Sequence, residues 1–197
     1  FEQEFTFINP ADYKPLGFML SPSIQGQYYC GVGAMNVIGR FIMDEFEVNC
    51  RKAGIDLDGI NAEVMPGQWE WQTSAEEPLK CADDLWMARF IYEEVAEDHA
   101  DKNVAVEYFP KIFKDNDDWA GSGCHINFST AVLREGGDNK RYIDDLLVGI
   151  SEDHKHHIKV YGDGNEFRLN GKNETCHIDS FEWGDSDRSV AMRIPHN

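Results

Sequence analysis

The sequence is poor in positive charge. Lysine and arginine together number 18 among its 197 residues, against 36 aspartates and glutamates, so the formal net charge is -18. Sequence-independent binding of nucleic acids depends on lysine and arginine at the phosphates, and this composition therefore argues against a nucleic-acid partner. Most of the surplus acids are expected to form a solvated surface, whereas a concentrated acidic site would attract divalent cations.

Paired cysteines and long apolar runs are also missing. The five cysteines are widely spaced and form no C-x-x-C motif, which argues against a disulfide framework or a zinc ribbon. They favour a reducing compartment, so we expect a cytoplasmic protein. No apolar run is long enough to cross a bilayer, and no membrane partner is expected. Because position 1 is Phe and falls inside a predicted strand, we also expect the chain to be a piece of a longer protein.

Two common nucleotide-binding motifs are absent. There is no G-x-x-x-x-G-K-S/T phosphate loop, and GVGAMN has Asn36 where a dinucleotide fingerprint needs its third glycine, so we interpret that stretch as a turn. Arginines near the end of the chain are candidates for binding phosphate, because the guanidinium fork matches phosphate geometry. Ion pairing with surface acids is the alternative for each of them; they are Arg168, Arg188 and Arg193.

The pattern of apolar and turn residues predicts one mixed α+β domain. Helices are predicted over residues 34–53, 82–99 and 139–158, and three histidines in the last of these (His154, His156, His157) are interpreted as a solvated helix end. Strands are predicted at 1–7, on either side of Pro66 and Gly67, and at 104–109, 158–161 and 190–194.

Two pairs of glutamates are candidates for a cation site. In a strand, successive side chains alternate between faces, so Glu2 and Glu4 share one face of the opening segment FEQEFTF. Glu63 and Glu70 flank the turn of a predicted hairpin, among residues such as Trp69 that normally mark buried surface. A buried carboxylate is costly unless it is paired, hydrogen-bonded or bound to a metal. Taken alone, the first pair is better explained as an ordinary solvated face than as a cation site.

One histidine completes this candidate set. His125 follows two glycines in GSGCHINFST, and a lone histidine in such a place is commonly structural. Together with Glu2, Glu4, Glu63 and Glu70, however, it supplies the oxygen-rich donors with one imidazole that suit Mg2+ or Mn2+. Carboxylates that converged without cations would repel one another and take up protons.

Seven segments together resemble the motifs of eukaryotic-type (type II) glutamine synthetases, in the same order and at about the same spacing. NAEVMPGQWE and GCHINFST are the most specific, and the resemblance covers nearly the whole chain. The segments are FEQEF, QGQYYCGVG, NAEVMPGQWEWQ, LWMARFI, AGSGCHINFST, RLNGKNET and DRSVAMRIP. The resemblance implies that residues 1–197 are a fragment of the catalytic domain, an α+β fold with a mainly antiparallel curved sheet flanked by helices. The N-terminal β-grasp domain and the C-terminal part would be absent.

The resemblance also implies a role for each matching position. Glu4, Glu63 and Glu70 match the ligands of a first metal ion, and Glu2 and His125 match two ligands of a second ion beside the nucleotide phosphates. Glu174 matches the residue that closes the site and takes a proton from ammonium. Arg168 and Gly121 match residues at the glutamate substrate, and Arg188 matches a residue at the substrate and the transferring phosphoryl group. The matches at the nucleotide are Asn127, Phe128, Ser129 and Arg193.

The implied activity is ligation of ammonia to L-glutamate. ATP would phosphorylate the side-chain carboxylate, and ammonia would displace phosphate from the resulting γ-glutamyl phosphate. The resemblance implies two or three Mg2+ or Mn2+ ions per site, and a cytoplasmic homo-oligomer of stacked rings, a decamer, with active sites between subunits.

Four positions depart from the family motifs. Ala120 stands where the family usually has Asn, Asn170 where it has Thr, Asn173 where it has His, and His196 where it has Arg. These departures leave open a noncatalytic relative that keeps the fold for assembly or binding. A ligase that joins a different amine to glutamate is a third hypothesis.

Overall fold

The strand predicted at the start of the chain is present as β1 (Glu2–Asn9) and lies in the middle of a sheet. The computed structural model describes residues 1–18, 25–74, 77–135 and 139–195. These residues form two compact units, one of Phe1–Ile112 with Ser122–Ile126 and one of Phe113–Gly121 with the described residues from Asn127 onward. The assignment of residues 1–197 to a single domain stays a prediction.

The sheet of the first unit is antiparallel throughout its described pairings. Besides β1 its strands are β2 (Lys14–Pro15), β3 (Leu57–Ala62), β4 (Gln68–Thr73), β5 (Ala105–Glu107) and β6 (Cys124–His125). One edge of β1 pairs with β4 and β2, and the other edge pairs with β5 and β6. The β3–β4 hairpin turns at Pro66 and Gly67, as the sequence predicts.

Two helices cover one face of this sheet. They are α1 (Arg40–Lys52) and α2 (Pro78–Asp98), which contact each other and the strands beneath them. Phe5 of β1 meets Tyr92 of α2 with ring centroids 4.5 Å apart, and Phe46 of α1 meets the same Tyr92 at 4.6 Å. Trp69 and Trp71 of β4 are fully buried in the same core. The predicted α+β class is therefore correct.

The first helix is shorter than predicted. It begins at Arg40 rather than at 34, because Gly39 has φ 90°, a left-handed backbone conformation that an α-helix cannot contain. The prediction of helix over 34–39 is wrong. At the other end the prediction holds, since Gly54 adopts φ 80° and its N–H donates to the carbonyl of Arg51 at 3.1 Å.

The second unit is built of short elements. They are α3 (Ala131–Arg134), α4 (Lys140–Glu152), α5 (His154–Val160), α6 (Asn165–Arg168) and the parallel strands β7 (Trp183–Asp185) and β8 (Met192–Ile194). The helix predicted over 139–158 is divided at Asp153, whose backbone angles of φ -110° and ψ 15° leave the helical region. The strand predicted at 158–161 is wrong, since Val160 ends α5.

Within the described ranges, no helix combines the length and the apolar character needed to span a bilayer.

Two glycines at the ends of α1 allow a test of how this helix is held. A Cβ at Gly39 would lie 2.8 Å from two ring carbons of Phe7, whereas a Cβ at Gly54 would meet nothing within 4 Å. Both have positive φ. We expect Gly54→Ala to lower the free energy of unfolding by about 1 kcal/mol, the cost of the left-handed conformation alone. Gly39→Ala should cost about 2–4 kcal/mol, because overpacking adds to that strain. Urea unfolding measures both, and equal losses would contradict this account of α1.

Candidate metal and active site

The register of β1 gathers several polar side chains on one face of the sheet. Glu4 lies directly opposite Glu70, and Glu2 lies opposite Gln72, in the pairing of β1 with β4. On the other edge of β1, Glu2 lies opposite His125. Residues directly opposite one another project to the same side of an antiparallel pair. The face of the sheet that points away from α1 and α2 therefore carries Glu4 and Glu70, with Glu2 next to them.

The hairpin turn brings Glu63 to the same place. The N–H of Glu63 donates to the carbonyl of Gln68 at 2.8 Å and closes the turn. Gly67 has φ 70°, and a Cβ there would lie 2.8 Å from the carbonyl oxygen of Leu16, so this turn requires glycine. One carboxylate oxygen from each of Glu4, Glu63 and Glu70 lies within 4.8 Å of the others.

Hydrogen bonds from amide groups orient these carboxylates. The side-chain amide of Asn61 donates to Glu63 at 3.1 Å, and that of Gln72 donates to Glu70 at 2.5 Å. The backbone N–H of Gly123 donates to Glu4 at 2.5 Å. Sequence reasoning missed Asn61 and Gln72, although each stands two positions from a candidate glutamate and so shares its face in a strand. The same alternation that pairs Glu2 with Glu4 would have found them.

Burial and mutual repulsion raise the proton affinity of this cluster. Glu63 and Glu70 are each only 8% exposed. Burial, followed by the charges of Glu4 and Glu70, raises the pKa of Glu63 from 4.5 to about 7, against the opposing hydrogen bond from Asn61. Burial also raises the pKa of Glu70, and the charges of Glu4 and Glu2 add to the effect. A divalent cation between the carboxylates would remove this repulsion, and three carboxylate oxygens fit the preference of Mg2+ or Mn2+.

The other predicted ligands lie next to this cluster. Nδ1 of His125 is 3.6 Å from a carboxylate oxygen of Glu2, and the His125 side chain is more than half exposed. Both side chains stand on the same face as Glu4, through the pairings of β1. The role of these two residues at a second ion stays a prediction.

In the second unit, the structure pairs two of the predicted residues. Nε of Arg188 lies 3.0 Å from a carboxylate oxygen of Glu174, and both side chains are exposed. Arg168 is the last residue of α6, and its carbonyl accepts a hydrogen bond from the hydroxyl of Thr175. Arg193 stands exposed in β8. The predicted roles of these residues stay predictions.

The predicted substrate and nucleotide positions lie in loops of the same unit. Gly121 is partly buried, and the stretch Asn127, Phe128 and Ser129 is exposed just before α3. The hydroxyl of Ser129 accepts a hydrogen bond from Arg134 at 2.8 Å. The departure at His196 lies outside the described residues.

Two of the three histidines interpreted as a solvated helix end, His154 and His157, are partly buried. Nε2 of His154 lies 2.9 Å from the carbonyl oxygen of Ile178, and its ring contacts Phe181. His156 is exposed, as that interpretation expects.

An α+β domain with a carboxylate cluster on the sheet face away from two helices has the features of a domain that binds a divalent cation. Residues 1–159 match the family model of the glutamine synthetase catalytic domain, and the chain therefore belongs to this family. The family implies the use of ATP and a divalent metal.

Curated relatives extend the similarity over the whole chain. The chain is 41% identical to a glutamine synthetase of Agaricus bisporus over 100% of its own length and 54% of that protein. It is 42% identical to a cytosolic glutamine synthetase isozyme of Pinus sylvestris, over 98% of the chain and 53% of the relative. It is also 42% identical to a chloroplastic/mitochondrial glutamine synthetase of Arabidopsis thaliana, over 98% of the chain and 44% of the relative. The chain thus spans about half the length of the curated relatives it matches.

The raised pKa of Glu63 predicts a dependence of stability on pH and metal. Without metal, the folded state must hold a charged carboxylate above about pH 7, so its stability should fall as pH rises from 4.5 through about 7. Mn2+ binds the ionised carboxylate, so its stabilising effect should grow over the same range. Thermal melts with and without Mn2+ at about pH 5.5 and about pH 8 measure both trends.

Matched variants separate this site from general charge effects. Glu63→Gln should lose most of the Mn2+ response, because a neutral amide is a poor ligand for the ion. Glu94→Gln, at an exposed position of α2, should be stabilised by Mn2+ as much as the unmodified protein is. An unchanged Mn2+ response in Glu63→Gln would show that the cluster is not the metal site.

Proposed function

We propose that the chain is part of the catalytic domain of a ligase that joins ammonia to L-glutamate. The overall reaction consumes ATP and gives glutamine, ADP and phosphate. The observation that supports this proposal most directly is the meeting of Glu4, Glu63 and Glu70 on one face of the sheet, with ligand oxygens within 4.8 Å. These glutamates would hold one divalent ion, and Glu2 with His125 would hold a second.

The need for ATP follows from the chemistry of the substrate. Direct formation of an amide would expel oxide from a carboxylate, whereas phosphorylation of the glutamate side chain provides phosphate as a leaving group. A bound divalent cation supplies charge neutralisation to the phosphoryl oxygens. The chain would use two or three Mg2+ or Mn2+ ions per site.

The ion pair between Arg188 and Glu174 in the second unit fits the step in which ammonia attacks the γ-glutamyl phosphate. Arg188 would contact the phosphoryl group and the substrate, and Glu174 would accept a proton from ammonium, which leaves the electron pair on nitrogen as nucleophilic ammonia. The separation of 3.0 Å between Nε of Arg188 and a carboxylate oxygen of Glu174 supports neighbouring roles, in which the guanidinium would bind phosphate and the carboxylate would accept the proton.

The remaining residues would bind the substrates. Arg168 and Gly121 would contact glutamate. Four further residues would line the nucleotide site; they are Asn127, Phe128, Ser129 and Arg193.

The assembly and its location belong to the same proposal. The active protein would be a homo-oligomer of stacked rings, a decamer, with active sites between subunits, and it would be cytoplasmic. The unpaired cysteines support a reducing compartment. The pine relative is named as cytosolic and the Arabidopsis relative as chloroplastic/mitochondrial, so the relatives by themselves favour neither location.

A noncatalytic relative is the second candidate. Ala120 and Asn173 replace family residues at the predicted site, and this favours loss of catalysis. The retained Glu4, Glu63 and Glu70 cluster favours the ligase, because three converging glutamates are costly to keep without a cation.

The deciding experiment is formation of glutamine from glutamate, ammonium and ATP by the full-length protein in the presence of Mg2+ or Mn2+, because the chain spans about half the length of its curated relatives. We expect activity in the unmodified protein and a loss of more than about a hundredfold in Glu63→Ala, since even groups that only support a metal ligand contribute 10–100-fold. Glu94→Ala serves as the control and should keep full activity.

Each outcome distinguishes the candidates. Absence of glutamine formation with both metals would favour the noncatalytic relative, and product formation only with another amine would favour a different ligase. Full activity in Glu63→Ala would remove that residue from the metal site.

A further inference from the structure

The loop that carries Glu174 has an unusual backbone. Asn173 and Glu174 are consecutive, and both have positive φ, at 50° and 60°. For residues with a Cβ, each such conformation costs about 1–3 kcal/mol and persists only where surrounding contacts enforce it. At its end the loop is held by Thr175, which is buried and whose hydroxyl hydrogen is shared between the carbonyls of Arg168, at 3.1 Å, and Lys172, at 2.8 Å. The tip must be held by other contacts.

Asp117 provides these contacts. One carboxylate oxygen accepts from the side-chain amide of Asn170 at 3.1 Å, and the other accepts from Nζ of Lys172 at 3.0 Å. The backbone carbonyl of Asp117 accepts from the side-chain amide of Asn173 at 2.8 Å, and the carbonyl of Trp119 accepts from the same amide at 3.3 Å. Three of the four residues that precede Glu174 are thus bonded to Asp117.

The segment that contains Asp117 is itself well supported within the second unit. Trp119 is buried and packs against Phe113 with ring centroids 5.3 Å apart. Nζ of Lys114 lies 5.3 Å from the ring centre of Phe167, on α6. Because side chains before and after it in the sequence pack within the second unit, Asp117 is placed to act as an anchor for the loop.

An isolated exposed ion pair would contribute little to stability. Here the Asp117–Lys172 pair is about half exposed, but it is one of several bonds that converge on one residue from one loop. Networks of this kind restrict geometry more than their individual bonds suggest. The expected consequence is control of where Glu174 points, with little effect on global stability.

We propose that Asp117 is a positioning residue that anchors the loop of residues 170–176 and holds Glu174 in place to accept the proton of ammonium. This inference rests on the proposed ligase function. In that step an N–H bond of ammonium breaks, the proton passes to the Glu174 carboxylate, and ammonia is left to attack the acyl phosphate. A loose loop would slow this transfer and would also admit water to the intermediate.

The first test measures the loop itself by amide hydrogen exchange, which needs no activity. In Asp117→Ala, amides of residues 170–176 should exchange about tenfold faster, as expected for the loss of contacts that restrict local opening. Asp163→Ala removes the same charge from an exposed turn of the same unit and should leave that segment unchanged. Unchanged exchange in Asp117→Ala would overturn the anchor.

The second test compares phosphate release with glutamine formation. The unmodified protein should release about one phosphate per glutamine, because the reaction couples them. Asp117→Ala should lower kcat roughly tenfold, leave KM for ATP within about twofold, and raise the ratio of phosphate to glutamine well above one. Partial unfolding lowers both product rates equally, so a merely structural role would leave the ratio unchanged. Asp117→Asn keeps one acceptor oxygen and should restore part of the coupling.

The two tests distinguish failure of the positioning role from failure of the ligase function. Faster exchange with an unchanged ratio and kcat would show that the anchored loop does not position the reaction, and it would overturn the proposal. If the unmodified protein forms no glutamine, the ligase function fails and the positioning role with it, while the exchange result still decides whether Asp117 anchors the loop.

Discussion

The pairing of Glu4 with Glu70 across two strands is the constraint on which the first unit depends. On the opposite face of the same strands, Phe5 lies across from Trp69, and both are fully buried against α1 and α2. A slip of one residue would turn the aromatic side chains to solvent and the carboxylates into the core. Burial of each large apolar side chain contributes about 1.5–3 kcal/mol, so the aromatic face fixes the register and imposes the carboxylate cluster on the other face.

The carboxylates of Glu4, Glu63 and Glu70 repel one another, and the first unit folds despite this cost. Two buried glutamates face a third acid, and burial, followed by the charges of Glu4 and Glu70, raises the pKa of Glu63 to about 7. Such departures from the usual rules of burial tend to occur at functional sites. The hydrogen bonds from Asn61 and Gln72 orient the carboxylates without neutralising their charge. The negative charge that remains favours binding of a cation.

Local patterns in the sequence predicted local structure well. Alternation placed Glu2 and Glu4 on one face, and the Pro66–Gly67 turn brought Glu63 near Glu70. Apolar spacing alone predicts too early a start for α1 and does not predict the break at Asp153, because the pattern of side-chain polarity does not report the backbone angles of single residues such as Gly39 and Asp153. The roles of the arginines came from family resemblance, because an exposed arginine has the same local pattern at a phosphate site as on an ordinary surface. Asp117 gave no local signal, as its partners lie more than fifty positions away along the chain.

The departures from the family motifs acquire a different meaning once their contacts are known. Asn170 and Asn173 replace the residues expected there, and from the sequence they count as evidence against catalysis. In the structure both side chains donate to Asp117, one to its carboxylate and one to its carbonyl. A substitution in a motif removes a function only when the interaction it served is lost, and here two substituted residues donate to two acceptor atoms of one residue. Because the strained backbone at Asn173 and Glu174 requires support of this kind, the substitutions are better explained as a different way of holding the same loop than as its decay.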